Sequence, residues 1–243
     1  MLPKTLSRAR VTGALAATLA VGALSTFAAV PAGAVVGDQA ADGAYAYTAK
    51  LTIGDNVRSC TGTLVDRNWV ITAASCFADD PAQPAALQAG APKWHTTATV
   101  GRTDLTTGAG ATADIVELVP RQDRDLVMAR LATPVDGIAP LALAAAAPTA
   151  GASLRVPGYG RTKTEWVPNK LHSGTFTVDA VTASTVSTTG TAGASICKGD
   201  TGAPVIREVN GTAELAAVAS RSWQGGCFGS TETRTGATNT RVD

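Results

Sequence analysis

Three short segments of the chain place hydroxyl and carboxylate side chains where nucleophilic chemistry is conceivable. Ser75 stands directly before Cys76, Asp125 begins an apolar run, and Thr201 follows Asp200 in a glycine-containing segment. A hydroxyl acts as a nucleophile in acyl transfer only when a base within hydrogen-bond reach takes its proton. Neither Ser75 nor Thr201 is a base near neutral pH, so this chemistry depends on another residue.

The sequence offers few candidates for that base. Histidine is the usual one, and the chain contains two, His95 and His172, neither of which adjoins the three segments. Each lies in a run that is typical of a β-strand, and we expect both to be structural or exposed. Lys198 precedes Thr201 by three residues and is the alternative base, because serine–lysine pairs exist.

The cysteines indicate an oxidising compartment. There are four, in two local groups far apart in the sequence and without a C-x-x-C motif: Cys60, Cys76, Cys197 and Cys227. In a secreted chain this pattern is typical of two disulfides rather than a zinc site. We therefore expect two disulfides, no metal and no cofactor.

The first 34 residues have the pattern of a secretory signal peptide. Three basic residues precede a long apolar run, and residues 32–34 form an A-x-A cleavage site. The whole chain carries a formal net charge of +1, so a mature chain of residues 35–243 carries −2. That balance provides no basic field for nucleic acid or an anionic membrane. The sequence therefore predicts a secreted protein that binds neither nucleic acid nor a membrane. We also expect a monomer whose partner is an unidentified protein or peptide.

The remaining residues favour short strands. Threonine and valine are frequent, glycine punctuates the sequence, and no amphipathic helical pattern extends beyond about ten residues. Strand-like runs recur at short spacing, and residues 139–152 are rich in alanine and proline, as in a linker between two halves. The pattern predicts an all-β protein, either a sandwich or barrels.

Three motifs then suggest a family. Residues 69–76 (WVITAASC) resemble the segment of trypsin/chymotrypsin serine endopeptidases in which the catalytic histidine precedes a cysteine. Residues 125–131 resemble the strand that begins with the catalytic aspartate, and residues 197–204 (CKGDTGAP) resemble the nucleophile loop. Weaker matches are residues 158–160 and Ser222-Trp223. The motifs occur in family order across residues 35–243, so the chain resembles this family over nearly all of its length.

The resemblance implies two six-stranded antiparallel β-barrels with the active cleft between them. The first barrel would occupy about residues 35–139 and the second about residues 140–243. The family's C-terminal helix is apparently missing, because the sequence stops soon after the last strand motif. The resemblance also implies the disulfide pairs Cys60–Cys76 and Cys197–Cys227.

The same resemblance implies a degenerate catalytic triad. Ser75 stands at the histidine position and Thr201 at the nucleophile position, so only Asp125 keeps its family identity. The backbone N–H groups of Gly199 and Thr201 would form the oxyanion hole. Ala203 replaces a glycine of this loop, which would displace the loop if the position needs a positive φ.

Further positions follow from the family pattern. Ser195 would lie at the floor of the specificity pocket, and Gln224 and Gly236 at positions that line it, with Gln224 narrowing the entrance. Cleavage after residue 34 would free the amine of Val35, which would pair with Asp200 as activation termini of the family do.

Three readings of function follow from these residues. We favour an inactive protease homologue that binds a ligand through its cleft or surface. The alternative is a weak endopeptidase or esterase that uses Thr201. A third reading is a structural module of the cell envelope.

Overall fold

The computed structural model describes Met1 and residues 37–243. The predicted signal peptide and Val35 therefore lie outside the described residues. No helix among the described residues is long and apolar enough to span a membrane. The regular secondary structure of residues 37–243 consists of β-strands and two short 3-10 turns at Ala74–Cys76 and Pro84–Ala86.

Strand β1 (Asp38–Gln39) pairs with the second barrel. Six antiparallel strands close the first barrel in the order β2-β3-β4-β7-β6-β5. Their bounds are β2 (Thr48–Ile53), β3 (Arg58–Asp66), β4 (Trp69–Thr72), β5 (Thr96–Val100), β6 (Ala111–Arg121) and β7 (Leu126–Leu131). Their inward residues, among them Leu51, Leu64 and Val70, form one apolar core.

The second barrel follows the short strand β8 (Ala142–Leu143). It closes in the order β9-β10-β11-β14-β13-β12, with β12 returning to β9. Its strands are β9 (Ser153–Gly158), β10 (His172–Val181), β11 (Thr185–Gly190), β12 (Pro204–Val209), β13 (Thr212–Ser222) and β14 (Gly236–Arg241). Phe176, Val205 and Ala217 are among the residues of its separate core. The prediction of two six-stranded antiparallel barrels is thus confirmed.

Contacts between the barrels hold the loops that carry the candidate site. Thr61 on β3 donates its N–H to the carbonyl of Thr201 at 2.9 Å, and its hydroxyl to the carbonyl of Gly199, also at 2.9 Å. The first barrel thereby fixes the backbone of residues 199–201, which belong to the second half of the chain.

Both expected disulfides are present. Cys60–Cys76 joins β3 to the 3-10 turn that carries Ser75, and Cys197–Cys227 joins the loop of Thr201 to the segment after β13. Each disulfide therefore braces one side of the cleft.

Candidate active site

Asp125 at the start of β7 is the centre of the site. Its side chain is buried, and Oδ1 accepts the backbone N–H of Ser75 at 2.7 Å, whereas Oδ2 accepts the Ser75 hydroxyl at 2.9 Å. The hydroxyl of Ser220 donates to the same Oδ2 at 2.6 Å. The carboxylate thus accepts three hydrogen bonds, and all three come from serines.

Ser220 is a site residue that the sequence reading missed. The sequence motif pointed to Ser222-Trp223, but a bulge in β13 between Ala219 and Arg221 places Ser220 against Asp125. Ser222 instead donates to the carbonyl of Ile196 at 2.5 Å.

Thr201 faces the same recess as Ser75. This recess has a volume of about 560 Å³ and its walls include Ser75, Gly199, Thr201 and Ser220. The structure therefore brings Ser75 and Thr201 to one recess, and Asp125 reaches it only through its hydrogen bonds to Ser75 and Ser220. Within residues 37–243, the hydroxyl of Thr201 forms no hydrogen bond to a base.

Neither histidine is near the triad positions. His95 precedes β5 and its Nε2 lies 3.0 Å from Asp114 Oδ1 on the exposed side of the first barrel. His172 begins β10, where it pairs with Gln39 of β1, and burial lowers its pKa. Neither lines the recess that contains Thr201.

Lys198 lies at the exposed edge of the recess. Its backbone N–H donates to Gln224 Oε1 at 2.9 Å. In the described part of the chain its ammonium makes no hydrogen bond to Thr201 and no salt bridge. The geometry therefore offers no support for Lys198 as the base.

The predicted oxyanion donors are the backbone N–H groups of Gly199 and Thr201. Gly199 has a φ of +99°, and in residues 37–243 neither its N–H nor that of Thr201 donates a hydrogen bond. A side chain at Gly199 would meet the backbone of Gly160 at 2.8 Å, so this loop requires a glycine there. Ala203 has no positive φ and is fully buried, so its replacement of a glycine does not displace the loop.

Asp200 anchors the loop that contains Gly199 and Thr201 through hydrogen bonds to backbone N–H groups. It is fully buried and accepts the N–H of Gly160 at 2.7 Å and the N–H of Cys197 at 2.8 Å. Burial raises its pKa to about 7, against the opposing effects of these two amides and of Lys50. Its predicted partner, the Val35 amine, lies outside the described residues.

Lys50 is a buried cation whose charge acts on Asp200, and sequence reasoning missed it. It lies on β2 with 8% of its surface exposed, and its Nζ donates to the carbonyl of Tyr159 at 3.5 Å. Burial lowers the pKa of Lys50, and the charge of Asp200 opposes that effect. The signal that could have identified it is the presence of a lysine within the run TAKLTI of β2.

Gln224, which is predicted to line the specificity pocket, is held in place by two hydrogen bonds. This residue has a φ of +65°, and its side chain bridges the N–H of Lys198 and the hydroxyl of Ser222. Ser195 is fully buried behind it, 4.0 Å from Cys227 Sγ. Gly236 lies against Trp223, because a Cβ there would approach its ring at 3.3 Å.

Comparison with known proteins agrees with this architecture. The family model for trypsin matches residues 34–242. A solved structure of neuropsin, a serine protease expressed in the limbic system of mouse brain, superposes with a TM-score of 0.65 at 19% identity. The match covers 85% of this chain and 93% of neuropsin, and at this identity it establishes the fold alone. No curated protein sequence matches the chain significantly.

Proposed function

The chain belongs to the trypsin family, and we propose that within this family it is a secreted, catalytically inactive member that acts by binding a protein or peptide through its cleft or surface. The observation that carries the proposal is the Asp125 carboxylate, whose three hydrogen bonds come from the N–H and hydroxyl of Ser75 and the hydroxyl of Ser220. No imidazole connects this carboxylate to Thr201.

The loss of catalytic rate without a base is large enough to make the protein inactive. In subtilisin, an unrelated fold with the same triad, loss of the histidine lowers kcat by about 2 × 10⁶. That factor corresponds to roughly 8–9 kcal/mol of transition-state stabilisation. Neither Ser75 nor Thr201 replaces it, because a neutral hydroxyl does not accept a proton near pH 7.

Threonine adds a second obstacle. The β-methyl group of Thr201 restricts χ1 and crowds the space that a tetrahedral intermediate would occupy. Threonine nucleophiles that work elsewhere use their own terminal amine as base, and Thr201 is internal.

A specific observation favours a weak hydrolase as the second candidate. Among residues 37–243, the N–H groups of Gly199 and Thr201 have no hydrogen-bond acceptor, and Thr61 holds their loop. In the subtilisin example, binding and the oxyanion hole alone retained about 10³–10⁴-fold acceleration over water. Residual cleavage of activated esters through Thr201 is the form this activity would take.

Secretion is part of the proposal. Its support is the N-terminal signal pattern together with the two disulfides. N-terminal sequencing of protein recovered from culture supernatant tests it, with Val35 as the expected first residue. Recovery only from the cell interior with an intact N-terminus would contradict it.

A hydrolysis assay tests inactivity. Purified mature protein is compared with its Thr201→Ala variant on a broad panel of peptide amides and activated esters. We expect no amide cleavage by either protein. Ester cleavage lost in Thr201→Ala would support the weak hydrolase, and amide cleavage retained in Thr201→Ala would show another active site.

A further inference from the structure

The basic residues of residues 37–243 divide into two groups. Nine of the 17 lysines and arginines form salt bridges with acidic side chains, and none of those nine lines the cleft recess of Thr201 or the recess beside it. Eight form none, and five of those eight line the two recesses: Lys50, Arg58, Arg161, Lys198 and Arg221. Residues 2–36 contain no aspartate or glutamate that might pair with them.

The two recesses are adjacent and share part of their walls. The recess of Thr201 has a volume of about 560 Å³, the neighbouring one about 230 Å³, and both are bounded by Arg58, Ser59, Lys198 and Gly199. No aspartate or glutamate lines either recess. Positive charge is therefore concentrated in one groove of a chain whose predicted mature form is slightly acidic.

The basic side chains of the two recesses differ in whether they already have partners within the protein. Arg58 already donates to the carbonyls of Ala78 and Asp79 and stacks on Trp94. Within residues 37–243, the side chains of Lys198 and Arg221 are exposed and make neither hydrogen bonds nor salt bridges. Arg221 also borders recesses that contain Asp125 and Asp179, but its nitrogens lie more than 4.0 Å from both carboxylates.

Apolar surface accompanies these cations. Trp166 and Val167 line the smaller recess with 55% and 66% of their surfaces exposed. The guanidinium of Arg161 lies 3.3 Å from the Trp166 ring centroid, and Phe228 packs edge-on against the same ring. An exposed aromatic surface beside cations suits a ligand that has both carboxylates and an apolar side chain.

We propose that this cleft binds an acidic polypeptide segment that also carries an apolar side chain. Lys198 and Arg221 bind its carboxylates, and Trp166 and Val167 contact the apolar side chain. The N–H groups of Gly199 and Thr201, which have no acceptor within residues 37–243, donate to a further oxygen of the ligand. The inference rests on the proposed function, because it takes the cleft as a place where a ligand stays bound. A polysulfated glycan suits the site less well, since it has no apolar side chain for Trp166.

The test uses the mature protein and fluorescence anisotropy. The probe is a fluorescein-labelled octapeptide rich in glutamate, with one leucine and one tyrosine; the control peptide has glutamine at every glutamate position. We expect the glutamate peptide to bind at least tenfold more tightly, and its affinity to fall several-fold as salt rises, because exposed charge pairs are screened. Equal binding of the two peptides would overturn the proposal.

Two pairs of variants locate the site. Lys198→Gln with Arg221→Gln removes the free cations and should weaken binding about tenfold, the scale of two partly exposed charge pairs. Arg67→Gln with Lys170→Gln removes the same types of charge outside the cleft and should change affinity less than twofold. Equal affinity of the two double variants would contradict the proposal, as would a heparin oligosaccharide that binds tenfold more tightly than the peptide.

The fate of the bound peptide distinguishes failure of this inference from failure of the proposed function. Mass spectrometry of the peptide after prolonged incubation shows whether it is cleaved. Cleavage would refute inactivity but leave the charge preference standing. Absence of both binding and cleavage would refute the acidic ligand alone.

Discussion

The carboxylate of Asp125 binds Ser75 directly, at 2.7 Å from its N–H and 2.9 Å from its hydroxyl. In a working triad the aspartate orients an imidazole that takes the proton of the nucleophile. Here its bonds end on Ser75 and Ser220. The pair is therefore a structural element between β7 and the turn at Ala74–Cys76.

This role predicts a loss of stability for Asp125→Asn. An amide group has one acceptor oxygen and presents an N–H₂ group to donors, so at least one buried serine donor loses its partner. We expect the free energy of unfolding to fall by about 2 kcal/mol. Denaturant unfolding measures it, with the exposed Asp136→Asn as control, which should shift it by less than about 0.5 kcal/mol. Equal stability of the two variants would contradict the role.

Restoring two side chains should restore chemistry. Ser75→His with Thr201→Ser rebuilds the triad with Asp125, and the oxyanion loop is already in place. We expect detectable ester cleavage from the double variant and almost none from either single variant, because triad members act as a unit. A folded but inert double variant would show that the cleft geometry has drifted beyond those two positions.

Gln224 should limit whatever activity that double variant gains. Its side chain is tied to Lys198 and Ser222 at a position that the family pattern predicts to line the pocket. We therefore expect it to exclude substrates with large side chains at the cleaved bond. Adding Gln224→Gly should raise kcat/KM for a phenylalanine ester more than for an alanine ester. Stability should change little, because glycine relieves the φ of +65° while two hydrogen bonds are lost. An equal gain for both esters would argue against a closed pocket.

The Val35 amine should control how stability depends on pH. Burial raises the folded-state pKa of Asp200 to about 7, above an unfolded value of about 3.9. Without a paired amine the folded state binds more protons between these values, so stability falls as pH rises from about 4 to 7. A free Val35 amine favours the charged carboxylate and removes that loss.

A mature chain and one extended by Gly-Ser before Val35 provide the comparison. We expect them to be nearly equally stable at pH 4, and the extended chain to be less stable by roughly 4 kcal/mol at pH 7. Asp200→Asn in both should abolish the pH-dependent difference. Parallel pH profiles of the two unmodified chains would exclude the inserted terminus.

The fold was predictable where apolar runs are clear. The strands at Trp69–Thr72 and Leu126–Leu131 are readily recognised in the sequence, because each is apolar except for one residue, Thr72 in the first and Arg130 in the second. The strands at Ser153–Gly158 and Thr185–Gly190 give a weaker signal in the sequence. The first contains Pro157, which argues against a strand, and threonine in the second hides the alternation.

The site was predictable only in part. Sequence order identified Ser75, Asp125 and Thr201, but not Ser220 or Lys50. The bulge in β13 shifts its register by one residue, which sequence pattern does not reveal. Lys50 contributes through its proximity to Tyr159 and Asp200, more than 100 positions away, and such long-range contacts depend on closure of both barrels.

The most direct test of inactivity is a fluorophosphonate reaction followed by intact-mass spectrometry of the mature protein. The reagent forms a covalent bond with an activated hydroxyl nucleophile, and trypsin under the same conditions serves as the positive control. We expect trypsin to be labelled completely and this protein to keep its unmodified mass, because no base activates Thr201. A stoichiometric adduct that maps to Thr201 would contradict the account.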